Sequence, residues 1–142
     1  MRIGESVDVT QARRRWTAAW LGAACIGVVN GVMREAAYGG VGERKAHQIS
    51  TGTLVATLAA YMWSLDRRWP IPDTRTALKI GSTWTLATIG YEIGLGRFVG
   101  PDPKTWSELL EDYDITKGHL WPAVLVGELF GPATIRCVRR RR

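Results

Sequence analysis

The chain has 142 residues, room for one domain, with 23% charged residues and a formal net charge of +6. A mean hydropathy near zero would suit a soluble protein, yet nearly all the charges fall in the termini and in three connections, leaving four stretches that hold few or none. A soluble four-helix bundle keeps one charged face on each helix, and these stretches keep none, which argues against that reading.

Residues 1–12 read as a short polar lead, closed by Arg13, Arg14 and Arg15. The first span is predicted over residues 16–33, uncharged and long enough to cross a bilayer. Trp16 and Trp20 are expected to anchor it at the interface, and Ala19, Ala23, Gly27, Asn30 and Arg34 form a small or polar face at helical spacing. Leu21 to Cys25 faintly resembles a lipoprotein cleavage site, but Leu21 stands one position too far from Cys25, so the helix is read as uncleaved. The second span, residues 46–65, is interrupted only by His47. Its stripe of Glu43, His47, Ser50, Thr53, Thr57, Tyr61 and Ser64 should point into the bundle, because lipid tolerates a hydrogen-bonding face poorly. Trp63 and Trp69 read as its interface anchors, and Trp69-Pro70-Ile71-Pro72 makes a stiff turn in the middle loop.

The third span, residues 77–98, holds Lys79, Glu92 and Arg97 and presents a face of Gly81, Thr85, Thr88, Glu92 and Gly96. In the loop that follows, Thr105 and Glu108 form a capping box before an apolar stripe of Trp106, Leu109, Leu110 and Tyr113. This predicts an amphipathic helix over residues 103–113, lying on the interface or folded as a lid. The fourth span, residues 119–135, carries Glu128 and a face of Ala123, Gly127, Gly131 and Thr134. The G-x-x-x-G pairs Gly27/Gly31, Gly90/Gly94 and Gly127/Gly131 are expected to let helices approach closely, within the chain or between copies.

Most of the nineteen Lys and Arg residues fall on one side of this arrangement: Arg2 and Arg13 to Arg15, Arg67, Arg68, Arg75 and Lys79, Arg136 and Arg139 to Arg142. The positive-inside rule then places both termini and the middle loop in the cytoplasm, giving an all-α, multi-pass bundle of an inner, cytoplasmic membrane. The expected partners are membrane lipids, with the arginines against anionic headgroups, and a second copy or a membrane-complex subunit on the glycine faces. The charge calls for no nucleic acid, the Arg139 to Arg142 run being the one place a DNA-binding tail would sit. Cys25 and Cys137 lie at different depths, and the absence of C-x-x-C argues against a thiol oxidoreductase.

With this topology the outer third gathers a candidate ligand-binding set of Asn30, Arg34, Glu35, Glu43, His47, Glu92, Arg97 and His119. Ionisable residues inside a span are costly, which makes them functional candidates. The roles expected are Glu92 as the buried carboxylate, His47 as its titratable neighbour, Arg34 and Arg97 as anion partners, and Asn30 as a hydrogen-bonding ligand. Alternatively these residues cap helices and pair with one another. Glu43 and His47 are four apart and share a helix face, so with His119, and Glu35 or Glu92, they could bind a metal. Without H-E-x-x-H that spacing is weak, and the sequence names no cofactor. Arg34, Arg44, Lys45 and Arg97 offer capture of a phosphate or carboxylate headgroup instead. Glu128 stands mid-span, four residues before Pro132, which leaves its carbonyl without a helical donor. That suits a cation or proton site, or a protonated Glu bonded to Thr or Tyr across the bundle.

Asn30-Gly31 with Arg34-Glu35, Gly42-Glu43, Ala46-His47-Gln48, Tyr91-Glu92, Gly94 and Gly96-Arg97 together resemble a family of small bacterial four-span membrane proteins. Trp106, Leu109-Leu110, Asp112-Tyr113-Asp114, Gly118 and Leu120-Trp121-Pro122 continue the resemblance, which covers residues 20–132. It implies the four-span fold and no particular activity. The functions expected are binding, and movement, of a small polar or amphipathic ligand such as a lipid headgroup or an ion. A membrane enzyme using Glu43, His47 and Glu92, or a structural subunit of a membrane complex, are the alternatives.

Overall fold

A computed structural model describes residues 3–142, and every regular element among them is helical. Four long helices are α1 (Ile3–Ala37), α2 (Glu43–Arg68), α3 (Thr74–Phe98) and α5 (Trp121–Arg140); the short α4 (Trp106–Glu111) and a 3-10 turn (Ile115–Lys117) lie between the last two. The punctuation is local. Gly42 takes φ 87° to turn the chain into α2, the Asp73 side chain accepts from the Thr76 amide to start α3, and Pro122 occupies the first turn of α5, where no amide donor is needed. Thr105 and Glu108 form the capping box expected for α4, which is shorter than the stretch 103–113.

The long helices run alternately up and down in a ring, α1 beside α2 and α3, and α5 beside those same two. One end of the bundle, here the terminal end, carries the C-terminus and the α2–α3 loop; the other, the distal end, carries the α1–α2 loop and α4. The core begins at the terminal end. Trp16 and Trp84 are fully buried with ring centroids 5.9 Å apart, the Trp84 indole donates to the Trp16 carbonyl at 2.8 Å, and the Trp16 indole donates to the Trp69 carbonyl at 3.0 Å. Trp16 is thus a core residue and no interface anchor, while the guanidinium groups of Arg15 and Arg68 both lie over the Trp69 ring. Residues 3–12 of the polar lead belong to α1; Met1 and Arg2 lie outside the described residues.

The arginine tail has partners too. Arg139 donates to the buried Asp66 at 2.6 Å, whose other oxygen accepts from the Ile71 amide, and Arg136 and Arg140 bind the Pro72 carbonyl. Three of the arginines assigned to lipid headgroups therefore clasp the middle loop.

Two packing expectations fail. In α2 the polar stripe divides: Ser50 is buried and Tyr61 half-buried, but Thr53, Thr57 and Ser64 face outward, each hydroxyl donating to the carbonyl four residues back. Such back-bonding satisfies the hydroxyl without a second helix, so the stripe does not define the inner face. Of the six G-x-x-x-G glycines only Gly131 is packed, against Met62; a side chain at Gly27, Gly31, Gly90, Gly94 or Gly127 would meet nothing within 4 Å. The close crossing is at Gly81, where a β-carbon would run into the Leu129 and Glu128 carbonyls of α5. Pro132 has freed the Glu128 carbonyl from its helical donor, and α3 approaches at that point.

Among the described residues one helix, Asp8–Ala37 of α1, is long and apolar enough to cross a membrane.

Candidate functional site

The helices α1 and α3 are in contact near the terminal end and part toward the distal end. Trp20 marks the divergence: its indole donates to the Thr88 hydroxyl at 3.0 Å, and its ring meets Tyr91 edge-on at 6.0 Å. Beside it a cavity of about 210 Å³ opens between the helices, with the unpacked Gly27 in its wall. Its walls are mainly apolar, from Ala23, Gly27 and Val28 on α1, Leu54 and Leu58 on α2, and Val124 on α5. Val28, Tyr91 and Leu95 in the lining are exposed, so the cleft is open at the surface of the bundle.

Two carboxylates stand in this apolar wall, Glu92 and Glu128. Glu92 is held from above: its Oε2 accepts from the Tyr113 hydroxyl at 2.9 Å and from the Trp121 indole at 2.7 Å. Tyr113 follows α4, whose Leu109 packs against Gly96, so of the two placements expected, on the interface or as a lid, the third loop takes one folded onto the distal end of α3. Burial, and then the Glu92 carboxylate beside it, hold the Tyr113 hydroxyl above the usual phenol range. Leu110, also on the apolar stripe, instead points outward.

Glu128 is 3% exposed. Its Oε1 accepts from the Thr88 hydroxyl at 3.0 Å, completing a chain from the Trp20 indole through Thr88 to the carboxylate, and this is the bond to Thr across the bundle that the sequence suggested. Oε2 is buried, and among the described residues it has no hydrogen-bond partner.

The remaining predicted site residues gather elsewhere. Arg34 meets His47 Nδ1 at 3.2 Å, the His47 and His119 rings lie 5.7 Å apart, and His119 Nδ1 is 3.9 Å from Asp112. Asn30 donates to the Ser50 hydroxyl at 2.6 Å and binds helix to helix. Arg97 stacks over Trp106 and donates to the Lys104 carbonyl, which ties it to the third loop. Glu35 and Glu43 are exposed. His47 is therefore the neighbour of Arg34 and His119, whereas Glu92 is bonded to Tyr113 and Trp121. Among the described residues no three His, Cys, Asp or Glu side chains come together to hold a metal, so Glu43, His47 and His119 form no ligand set. A guanidinium against His47 also opposes a cation there.

The partners of Glu92 and Glu128 leave little trace in the sequence. Trp20 and Trp121 look like interface tryptophans, and only the register between helices turns them into donors to Thr88 and Glu92. A second groove of about 310 Å³ lies between α2 and α5, lined by Val55, Ala59, Gly127 and Phe130 among others, with no ionisable side chain. Compared with known protein families, curated proteins and solved structures, the chain matches none.

Proposed function

We propose that this chain crosses a bacterial inner membrane four times, termini in the cytoplasm, and binds an amphipathic molecule in the cleft between α1 and α3. The observation that carries the reading is an apolar cleft, open at the surface of the bundle and holding two carboxylates in its wall. Membrane embedding is supported by the outward surface at mid-height. Leu21, Val28, Val29 and Val32 on α1, Leu86 on α3, and Val126 and Phe130 on α5 are exposed, and the exposed hydroxyls of α2 bond their own helix. Apolar surface of this extent suits lipid better than water. In that setting the cleft opens into the bilayer, and a ligand enters laterally with its apolar part foremost. The α1–α3 divergence lies toward the distal end, which faces outward in this topology, and repeated loading and release there would move the ligand.

Native mass spectrometry of the protein released from lipid nanodiscs tests this. The parent should retain an amphipathic adduct, and Gly27→Leu, which adds bulk at the cleft wall where a β-carbon meets nothing within 4 Å, should lose it. Gly127→Leu, in the α2/α5 groove, should keep it. Equal retention in all three would remove the cleft from the account.

A further inference from the structure

We propose that the ligand of the α1/α3 cleft is a lipophilic cation, an apolar molecule carrying an ammonium group that sits against Glu128 and Glu92. The inference rests on the cleft being an amphiphile site and names the charge that site selects. The ionisable side chains lining it are those two carboxylates and the Tyr91 phenol, and no Lys, Arg or His lines it. Arg34 and Arg97, the anion partners suggested by the sequence, are engaged with His47 and with the third loop. An anionic headgroup would therefore meet like charge and no donor of opposite sign.

Glu128 supplies the independent reason. A buried carboxylate demands a proton, a donor or a counter-charge, since desolvating it unpaired is strongly unfavourable. Thr88 satisfies one oxygen, and the second is buried with nothing bonded to it among the described residues, on a side chain that lines the cleft. Glu92 differs, because one of its oxygens already has two donors fixing it in the wall. Trp20, Tyr91 and Trp121 also line the cleft, and aromatic faces attract a cation most strongly where water is excluded. A volume of about 210 Å³ is small beside the roughly 300–1,000 Å³ of a typical ligand pocket. The enclosed part thus takes the head and the first carbons, and the open mouth leaves the tail in lipid.

The experiment uses the full chain in lipid nanodiscs and titrates octyltrimethylammonium, octyl sulfate and octyl glucoside by calorimetry, with empty nanodiscs subtracted. The ammonium should bind saturably, at least ten-fold more tightly than the sulfate or the glucoside. Glu128→Gln, which keeps an acceptor for Thr88, should weaken it at least ten-fold, and Gly27→Leu should abolish it; circular dichroism and thermal melting check that both variants fold. Should Glu128→Gln not fold, the headgroup series on the parent and on Gly27→Leu still decides. If all three amphiphiles bind alike and Gly27→Leu blocks them alike, the cleft is an amphiphile site without charge selection and the cation inference falls alone. It falls alone as well if folded Glu128→Gln binds the ammonium as the parent does. If none binds saturably, the cation inference and the proposed function fall together.

Discussion

At the terminal end two tryptophans fill the core and Asp66 is locked to Arg139, and at mid-height α3 presses Gly81 against the α5 backbone. Toward the distal end the same α3 leaves α1, and glycines that look like contact residues border open space. Small residues serve opposite purposes in the two places. Where the facing element is a backbone, as at Gly81, the missing side chain permits contact; in the wall of the cleft, at Gly27, it leaves the space open. The polar groups differ likewise: those at the terminal end are paired into a clamp, while one carboxylate oxygen in the distal cleft is left without a donor.

Substituting glycines at the two places tests this contrast most severely. Gly81→Leu should destabilise by about 3 kcal/mol or more, since backbone carbonyls cannot yield as a flexible side chain would. Gly94→Ala, with open space around it, should be neutral or stabilising by up to about 1 kcal/mol through helix propensity. Thermal unfolding in one detergent measures both, and equal losses would erase the distinction. Next in size is Arg139→Ala, which strands Asp66 in the core. Because the Arg139 side chain is itself 31% exposed, the expected cost is about 2 kcal/mol, below the 3–5 kcal/mol of a fully buried pair. A loss under about 0.5 kcal/mol would mean that the clamp is an ornament of the surface.

What the sequence made legible follows from which signals are local. Helix positions came from the placement of charge, and the Thr105–Glu108 box from a spacing that needs no tertiary partner. Glu128 was singled out by its depth, and its bond to Thr88 follows from the few acceptors and donors a span contains. The hydroxyl stripe of α2 misled because back-bonding hides the difference between a buried and a lipid-facing Thr. Convergence of Asn30, Arg34, His47, Glu92 and Arg97 was read from depth alone, and depth does not give the azimuth around the bundle. That angle sends Arg34 to His47 and Arg97 to Trp106, leaving Glu92 to Tyr113 and Trp121.

Smaller effects sharpen the picture at each end. Tyr113→Phe removes one of the two donors on Glu92 and should cost about 1 kcal/mol. Its clearer readout is faster tryptic cleavage at Lys104 and Lys117 as the lid loosens; unchanged cleavage would mean that α4 is held by Leu109 alone. Asp73→Ala should also cost about 1 kcal/mol at neutral pH, as the loss of a helix cap does. The Thr76 hydroxyl, and then its amide, hold the Asp73 carboxyl below its ordinary value of 3.8. The cap's contribution is therefore present above that value and is lost as the pH falls through the lowered folded-state pKa. The difference between parent and variant should accordingly shrink in acid, and a constant difference would show that the charge of Asp73 is idle.

The central claim is that this bundle lies across a membrane with its clamped end inside and its open end outside. Cys25 and Cys137 are exposed and free, so both are first replaced by Ser; Gly40→Cys and Arg75→Cys are then introduced separately, in the exposed α1–α2 connection and at the start of α3. Treated as intact cells with an impermeant maleimide, the Gly40→Cys protein should be labelled, and the Arg75→Cys protein should be labelled only after the membrane is opened. Labelling in the reverse order, or of both proteins only after opening, would contradict the account.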